Sequence, residues 1–381
     1  MRRRITAAVA VTTVLGAGAA VGAVAAGRWA RGAALATPRA GRPAGFAGGR
    51  VTVHSTAAGR IVLTRTPATL RPGTFGLAGP SCHAVVGPLL DEPSGPDSVV
   101  RRLERVTEGR LSPGTTVVLT PELHRGDPLS ALGIAHTEVY VPGEEGPLPA
   151  WFVAGSRDTW VIALHGLGTT RAHPLNLLPF LHHHHFPVLI PAYRGDPGAP
   201  APHDRADRLG PGAWPDAEAA VRYAVEYGAR RVVLYGWSSG AAMALRTAAR
   251  SGLRDRLAGL VLDSPVLEPA ETLRALALRR GVPGALLPLA VRADDGDGLL
   301  GGDERPLGEA ALAAPGPALP VLILHGPDDT VAPWRASREL AARQPAHVTL
   351  HVIPRAEHAA MWNADPAAYE ERLRRFLTPL M

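Results

Sequence analysis

Cysteine and lysine are nearly or wholly absent from this 381-residue sequence, and each absence narrows the possible chemistry. Cys82 is the single cysteine, which excludes an intrachain disulfide, a CxxC redox pair and a cysteine-based zinc site. All forty basic residues are arginine, and alanine, glycine and proline are abundant. This pattern indicates a compositional bias of the coding sequence rather than selection for one chemistry.

Acidic residues are missing from the first 90 positions, which carry eleven arginines. The remainder of the chain holds 29 arginines against 34 acidic residues, so the net charge of +6 comes from the N-terminal part. The larger part of the chain is mildly acidic, and we therefore predict no nucleic-acid partner. A hydrophobic content of 46% excludes wholesale disorder, and a mean hydropathy near zero excludes a protein with many membrane spans.

An uncharged stretch covers residues 5–26 and is flanked by arginines on both sides. It is long enough to cross a bilayer, which takes about 20 apolar residues. We predict that residues 1–31 form an uncleaved signal anchor that attaches the chain to a membrane, with the remainder of the chain outside the cytoplasm. Two alternatives stay open: a signal peptide cleaved near residues 23–25, which would release a secreted protein, and an extension of a cytoplasmic protein.

The chain beyond this stretch divides into three segments by composition. Residues 32–50 are rich in glycine, proline, alanine and arginine without periodicity, as in a linker. Residues 51–130 contain short β-branched runs separated by Pro-Gly turns, which predicts a small β-rich unit. Across residues 134–381, short apolar runs alternate with helical patterns, which predicts an α/β domain with a mostly parallel central sheet flanked by helices. The predicted strands of this domain are 160–164, 188–190, 232–235, 260–262, 321–324 and 348–353, and the predicted helices include 215–227, 239–251, 334–343 and 366–377.

The strongest chemical motif is Gly-Trp-Ser-Ser-Gly at residues 236–240. It follows a predicted strand and opens a predicted helix, which is the arrangement of a nucleophile elbow. In such a turn the flanking positions must be very small, and the strained central residue exposes its hydroxyl above the sheet. The motif therefore predicts that Ser238 is a nucleophile.

A serine hydroxyl needs a base to take its proton, and the base needs a carboxylate to orient it. After this type of elbow the order along the chain is serine, acid, histidine. His358 follows the last predicted strand and is the candidate base. Three carboxylates at strand ends are candidate acids: Asp329, Asp328 and Asp263.

These motifs resemble those of the α/β-hydrolase superfamily, in particular its lid-poor serine hydrolases and serine-aminopeptidase-like members. The resemblance covers residues 134–381 and aligns His325 and the following glycine with the family pattern HG-x-x-D. It thereby implies that Asp329 is the acid. One departure concerns the position before His358, where this chain has Glu357 in place of the usual glycine.

The resemblance also implies the rest of the site. The amides of Leu167, in a His-Gly-Leu-Gly loop, and of Ser239 would form the oxyanion hole. Residues 264–318 would hold cap helices over the nucleophile, although their leucines could equally pack on the sheet. Arg194 has an expected structural role, with Asp216 as its ion-pair partner.

Metal and cofactor binding are not predicted. The four consecutive histidines at 182–185 are the one suggestive run. Successive side chains on a helix point in different directions, so at most two of them could share an ion, and no acidic or cysteine partner is near in sequence.

The sequence thus predicts a serine hydrolase, similar to esterases and peptidases, that cleaves a carboxylic ester, thioester or amide through an acyl-enzyme on Ser238. Its substrate would be a small molecule or an acyl or peptidyl compound. The alternatives are an acyltransferase and a non-catalytic, membrane-anchored binding protein on the same fold.

Overall fold

The computed structural model describes residues 25–30, 32–33, 43–46, 49–92, 95–202, 210–288, 306–316 and 318–381. The predicted membrane segment, except its last two residues, and most of the predicted linker lie outside these ranges. Within them, no helix combines the length and apolarity needed to cross a membrane. The chain divides into two compact units, one comprising residues 1–36 and 269–304 and the other residues 37–268 and 305–381.

The second unit begins with a closed, antiparallel six-stranded barrel. The strands follow the order β1-β2-β5-β4-β3-β6, and β6 pairs back onto β1. Closure leaves no unpaired sheet edge, and alternate side chains fill the interior with aliphatic groups and Phe75. Phe46, from a 3₁₀ turn before β1, packs with them. The strands are β1 (Val51–Ala57), β2 (Arg60–Thr64), β3 (Phe75–Ala78), β4 (His83–Leu89), β5 (Ser98–Glu108) and β6 (Thr116–Thr120).

The same unit contains an eight-stranded sheet in the order β14-β13-β12-β11-β9-β10-β8-β7. Strands β9 to β14 are parallel to one another, whereas β7 and β8 form an antiparallel hairpin at one edge, with β8 antiparallel to β10. The strands are β7 (Thr137–Gly143), β8 (Gly146–Val153), β9 (Thr159–Leu164), β10 (Val188–Pro191), β11 (Arg231–Trp237), β12 (Leu257–Asp263), β13 (Val321–His325) and β14 (Val348–Val352).

The central strands are mostly apolar because both faces of the sheet are covered. Every residue of β9, β12 and β13 is buried. The helices of this unit are α1 (Pro128–Leu132), α2 (Leu178–His183), α3 (Trp214–Glu226), α4 (Ser239–Arg250), α6 (Leu307–Ala313), α7 (Trp334–Arg343), α8 (Met361–Ala364) and α9 (Pro366–Leu377).

The described part of the first unit is largely helical. Helix α5 (Pro269–Arg279) is followed by a 3₁₀ turn at Gly284–Leu286. Arg280 donates from Nη1 to the carbonyl of Ala33 at 2.7 Å, which joins the two chain segments of this unit. The predicted cap at 264–318 thus contains helices, and its place over the nucleophile stays a prediction.

Candidate active site

Ser238 occupies the turn between β11 and α4 with φ 53° and ψ −115°. This left-handed conformation is rare for a residue with a side chain, and it is typical of the strained turn of an elbow. The flanking glycines leave no room for a Cβ. One added at Gly236 would lie 2.4 Å from the amide nitrogen of Ala241, and one at Gly240 would lie 2.1 Å from the carbonyl oxygen of Leu164.

Three side chains that the sequence singled out lie in a continuous hydrogen-bonded row. The Oγ atom of Ser238 lies 2.7 Å from Nε2 of His358, and Nδ1 of that ring lies 2.8 Å from Oδ2 of Asp329. The carboxyl ends of parallel strands meet at one edge of the sheet, so β11, β13 and β14 deliver these residues to one place. Their catalytic roles remain predictions that this geometry permits.

Asp329 is held by more than the imidazole. Its Oδ1 atom accepts hydrogen bonds from the amides of Val331 and Ala332 at 2.8 Å each, and its Oδ2 atom lies 2.9 Å from Nε2 of His325. Burial alone would raise the pKa of Asp329, but the adjacent charge of His358 and the hydrogen bonds from both histidines lower that pKa well below its ordinary value. The carboxylate is therefore ionised at neutral pH.

Neighbouring charges also outweigh burial for His358, and here they raise the pKa. Burial favours the neutral ring, yet the charges of Asp329, Glu357 and Asp263 outweigh it and raise the pKa of His358 above 6.5. The same charges would stabilise a protonated ring at this position.

The two other candidate acids have different partners. Asp328 is exposed and accepts a hydrogen bond from the amide of Arg355 at 2.7 Å. Asp263 is completely buried, and its carboxyl accepts hydrogen bonds from the hydroxyls of Ser264 at 2.7 Å and Tyr369 at 2.9 Å. Burial raises the pKa of Asp263 to about 7. Neither of them accepts a hydrogen bond from the ring of His358, and the carboxylate at its Nδ1 atom is that of Asp329.

The loop predicted to supply an oxyanion amide passes beside the elbow. A Cβ at Gly166 would lie only 2.9 Å from Cβ of Ser238, which puts Leu167 one residue from this close approach and Ser239 at the first position of α4. Thr169 stabilises the loop by accepting from the Gly166 amide at 2.9 Å and donating to its carbonyl at 2.8 Å. The two oxyanion roles stay predictions.

The barrel contacts this loop from the other side. Glu122, just beyond β6, accepts a hydrogen bond from the amide of Thr170 at 3.1 Å. Burial raises the pKa of Glu122 to about 7. A cavity of about 690 Å³ adjoins the same place, and its lining includes Thr170, Arg171 and Trp151 together with His83 and Glu122 from the barrel side.

Two further sequence predictions can be compared with the structure. Arg194 donates to both carboxylate oxygens of Asp216 at 2.9 and 2.7 Å, so the predicted ion pair is confirmed. The histidines at 182–185 lie at the end of α2 and the turn beyond it. Within the described ranges, no three histidine, cysteine, aspartate or glutamate side chains are grouped as metal ligands.

Sequence reasoning missed the contribution of the barrel to the site. Glu357 was noticeable only as a departure from the expected glycine, and nothing in the sequence paired it with Arg71, whose Nη2 atom contacts its carboxylate. Glu122 carried no signal at all, because a single glutamate after a strand is common. Only the folded arrangement reveals these contacts.

Comparison with known proteins addresses both parts of the second unit. Residues 159–282 match a family model described as the alpha/beta hydrolase fold, and residues 52–120 match a domain of unknown function. The uncharacterized protein YfhR of Escherichia coli K12 is 28% identical over 270 residues, which cover 67% of this chain and 84% of that protein.

Among solved structures, the esterase Pf2001 of Pyrococcus furiosus is similar in two crystal forms. In one form the TM-score is 0.54 at 20% identity, covering 68% of this chain and 94% of the other. In the second form the TM-score is 0.53 at 20% identity, with 67% and 96% covered. The finer serine-aminopeptidase-like subtype stays a prediction. The family model and these structural neighbours together show that the chain has the α/β-hydrolase fold of the superfamily that its motifs resemble.

Proposed function

We propose that the protein is a serine hydrolase that cleaves a small carboxylic ester, or a related thioester or amide, through an acyl-enzyme on Ser238. The observation that carries the proposal is the hydrogen-bonded row of Ser238, His358 and Asp329, with heavy-atom distances of 2.7 and 2.8 Å. A serine, a histidine and an ionised carboxylate in this order are what acyl transfer requires.

In the proposed reaction, Nε2 of His358 takes the hydroxyl proton as Oγ of Ser238 bonds to the substrate carbonyl carbon. Asp329 accepts the Nδ1–H hydrogen bond and stabilises the imidazolium. The carbonyl oxygen becomes an oxyanion, and the amides of Leu167 and Ser239 stabilise it by donating hydrogen bonds. When the intermediate collapses, the bond to the leaving group breaks and the imidazolium protonates that group.

Deacylation repeats these steps with water. His358 takes a proton from water as its oxygen attacks the acyl carbon, and the same proton then returns to Oγ of Ser238. The groups of the chain that act in this cycle are Ser238, His358, Asp329 and the two amides. We propose that the larger part of the substrate occupies the cavity of about 690 Å³ that is lined by Thr170, which follows Leu167 by three positions in the chain. The preference for an ester is supported by the structural neighbour Pf2001, which is described as an esterase.

The test is labelling with a fluorophosphonate probe together with hydrolysis of p-nitrophenyl esters of graded chain length. We expect the wild type to be labelled and active, and Ser238→Ala to lose both properties. Ser156→Ala is the matched control, because Ser156 is an exposed serine outside the proposed site and its loss should change neither readout. Equal labelling of Ser238→Ala and the wild type would overturn the proposal.

A further inference from the structure

The candidate base is preceded by Glu357, whose side chain is completely buried. Its Oε1 atom accepts hydrogen bonds from the amide of Thr330 at 3.0 Å, from the hydroxyl of the same residue at 2.7 Å and from the amide of His358 at 3.0 Å. Thr330 directly follows Asp329 in the chain. One carboxylate therefore joins the loop that carries the acid to the loop that carries the base.

The other oxygen of Glu357 is contacted by Nη2 of Arg71, which lies in the loop between β2 and β3 of the barrel. A carboxylate removed from water is costly unless a cation and hydrogen bonds compensate it. Here the hydrogen bonds come from the α/β part and the cation comes from the barrel. The guanidinium also lies over the ring of Phe46 at 5.0 Å, and that ring belongs to the barrel core.

The loop that carries Arg71 is itself fixed from inside the barrel. Arg101 is fully buried and donates to the carbonyls of Thr69 at 3.0 Å, of Arg71 at 2.7 Å and of Gly73 at 2.6 Å. Gly73, with φ 90°, is so close to the chain after His358 that an added Cβ would lie 1.9 Å from the carbonyl oxygen of Asn363. Arg71 is thus presented to Glu357 by a well-supported loop.

We propose that Arg71 is a positioning residue of the active site, which acts through Glu357 to fix the His358 loop and to balance the negative charge beside that imidazole. The inference rests on the proposed function of Ser238 as a nucleophile. It assigns a role to the barrel, which is then part of the catalytic machinery rather than an appended binding module. Arg71 touches Glu357 and not the reacting atoms.

Because the proposal concerns the charge beside the base, it predicts how the pH dependence of kcat/KM changes when that charge is altered. The base is active when neutral, so kcat/KM falls as the pH drops through the pKa of His358. Negative charge nearby raises that pKa and positive charge lowers it. The polar and titratable groups that act on this ring are Asp329, Ser238, Asp263, His173, Glu357 and, through Glu357, Arg71.

The experiment is a double-mutant cycle with p-nitrophenyl ester hydrolysis measured as a function of pH. Arg71→Met removes the cation that faces Glu357. The acidic limb of the pH profile of kcat/KM should therefore move to higher pH, and kcat/KM should fall about 10- to 100-fold. Glu357→Gln removes the negative charge beside the ring while Arg71 keeps its positive charge, so that limb should move to lower pH. The double variant removes both charges, and the limb should return close to its wild-type position.

Two variants serve as controls. Arg71→Lys keeps the charge and should restore most of the activity that Arg71→Met loses, even if the methionine variant folds poorly. Arg60→Met removes an exposed barrel arginine paired with Glu92, and its pH profile should match the wild type. A limb that moves in the same direction in both single variants, or that does not move in either, would overturn the proposal.

A titration of His358 by NMR separates this inference from the proposed function, because it needs no substrate. Opposite shifts of the ring pKa in Arg71→Met and Glu357→Gln, in a protein that neither hydrolyses esters nor reacts with the probe, would refute the hydrolase and retain the charge balance. An active wild type without these shifts would refute the role of Arg71 alone.

Discussion

At the scale of single residues, the partners of a buried carboxylate, rather than burial itself, decide whether it is charged. Asp329 and Asp263 both lie at strand ends and are both buried, yet their pKa values are displaced in opposite directions. Asp329 has two histidines and two amides around it, whereas Asp263 accepts only hydroxyl hydrogen bonds from Ser264 and Tyr369. Sequence spacing left Asp329, Asp328 and Asp263 open as acids because it carries no information on these surroundings.

Glu122 leads to a prediction about stability and pH. Burial raises the pKa of Glu122 from 4.5 to about 7, so between these pH values the folded chain binds more protons than the unfolded chain. Its contribution to stability therefore falls as the pH rises through this window. Glu122→Gln should raise the free energy of unfolding by about 1–3 kcal/mol at pH 8 and change it little at pH 4.

Urea unfolding at both pH values measures this difference. Glutamine can still accept the hydrogen bond from the Thr170 amide, so the comparison isolates the charge. The control is Glu144→Gln, in the exposed turn between β7 and β8. This substitution should leave the free energy of unfolding unchanged at both pH values. Equal free energies for Glu122→Gln and the wild type at pH 8 would contradict the argument.

At the scale of elements, the elbow depends on the absence of two side chains. Gly240 lies in the first turn of α4, directly against the end of β9. Gly240→Ala would place a methyl group 2.1 Å from the carbonyl oxygen of Leu164, and backbone atoms on both sides resist displacement. We expect a loss of about 3 kcal/mol or more in the free energy of unfolding, together with loss of probe labelling.

Thermal unfolding with a matched glycine tests this expectation. A Cβ at Gly252 meets no atom within 4 Å, so Gly252→Ala should leave the melting temperature nearly unchanged. A Gly240→Ala variant that melts like the wild type would mean that the elbow is less tightly packed than described.

The same scale shows what could be predicted from the sequence. The buried parallel strands were recognisable as apolar runs, and helices α7 and α9 begin and end at the predicted residues, because their surroundings impose a simple pattern. The edge hairpin of β7 and β8 was missed, since its residues are mixed in polarity. Strand β5 was also missed because three arginines and two glutamates interrupt it.

At the scale of the whole molecule, the uneven charge bears on location. The first 90 residues hold arginines without acids, and part of that excess flanks the uncharged stretch at 5–26. We therefore retain the proposal of a membrane anchor with the catalytic part outside the cytoplasm. The full chain should sediment with membranes after a carbonate wash, whereas a chain lacking residues 1–31 should not.

Carbonate-washed membrane fractions, probed by immunoblotting, make this comparison. Protease added to intact cells should digest the region from 51 to 381 if that region faces outward. Recovery of the full chain in the wash supernatant would contradict the membrane anchor. Resistance of the region from 51 to 381 to protease added to intact cells would place that region on the cytoplasmic side.

The ion pair between Arg71 and Glu357 also constrains when the molecule can become active during its synthesis. The two residues are 286 positions apart in the chain. At about 5–20 residues per second, a ribosome needs roughly 15–60 s to travel between them. The last barrel strand, β6, ends 49 positions after Arg71, so all six strands are synthesised long before the base loop exists. A nascent or truncated chain that ends before Glu357 therefore carries all six barrel strands but neither Glu357 nor His358, so the proposed hydrolysis can begin only once almost the entire polypeptide has been made.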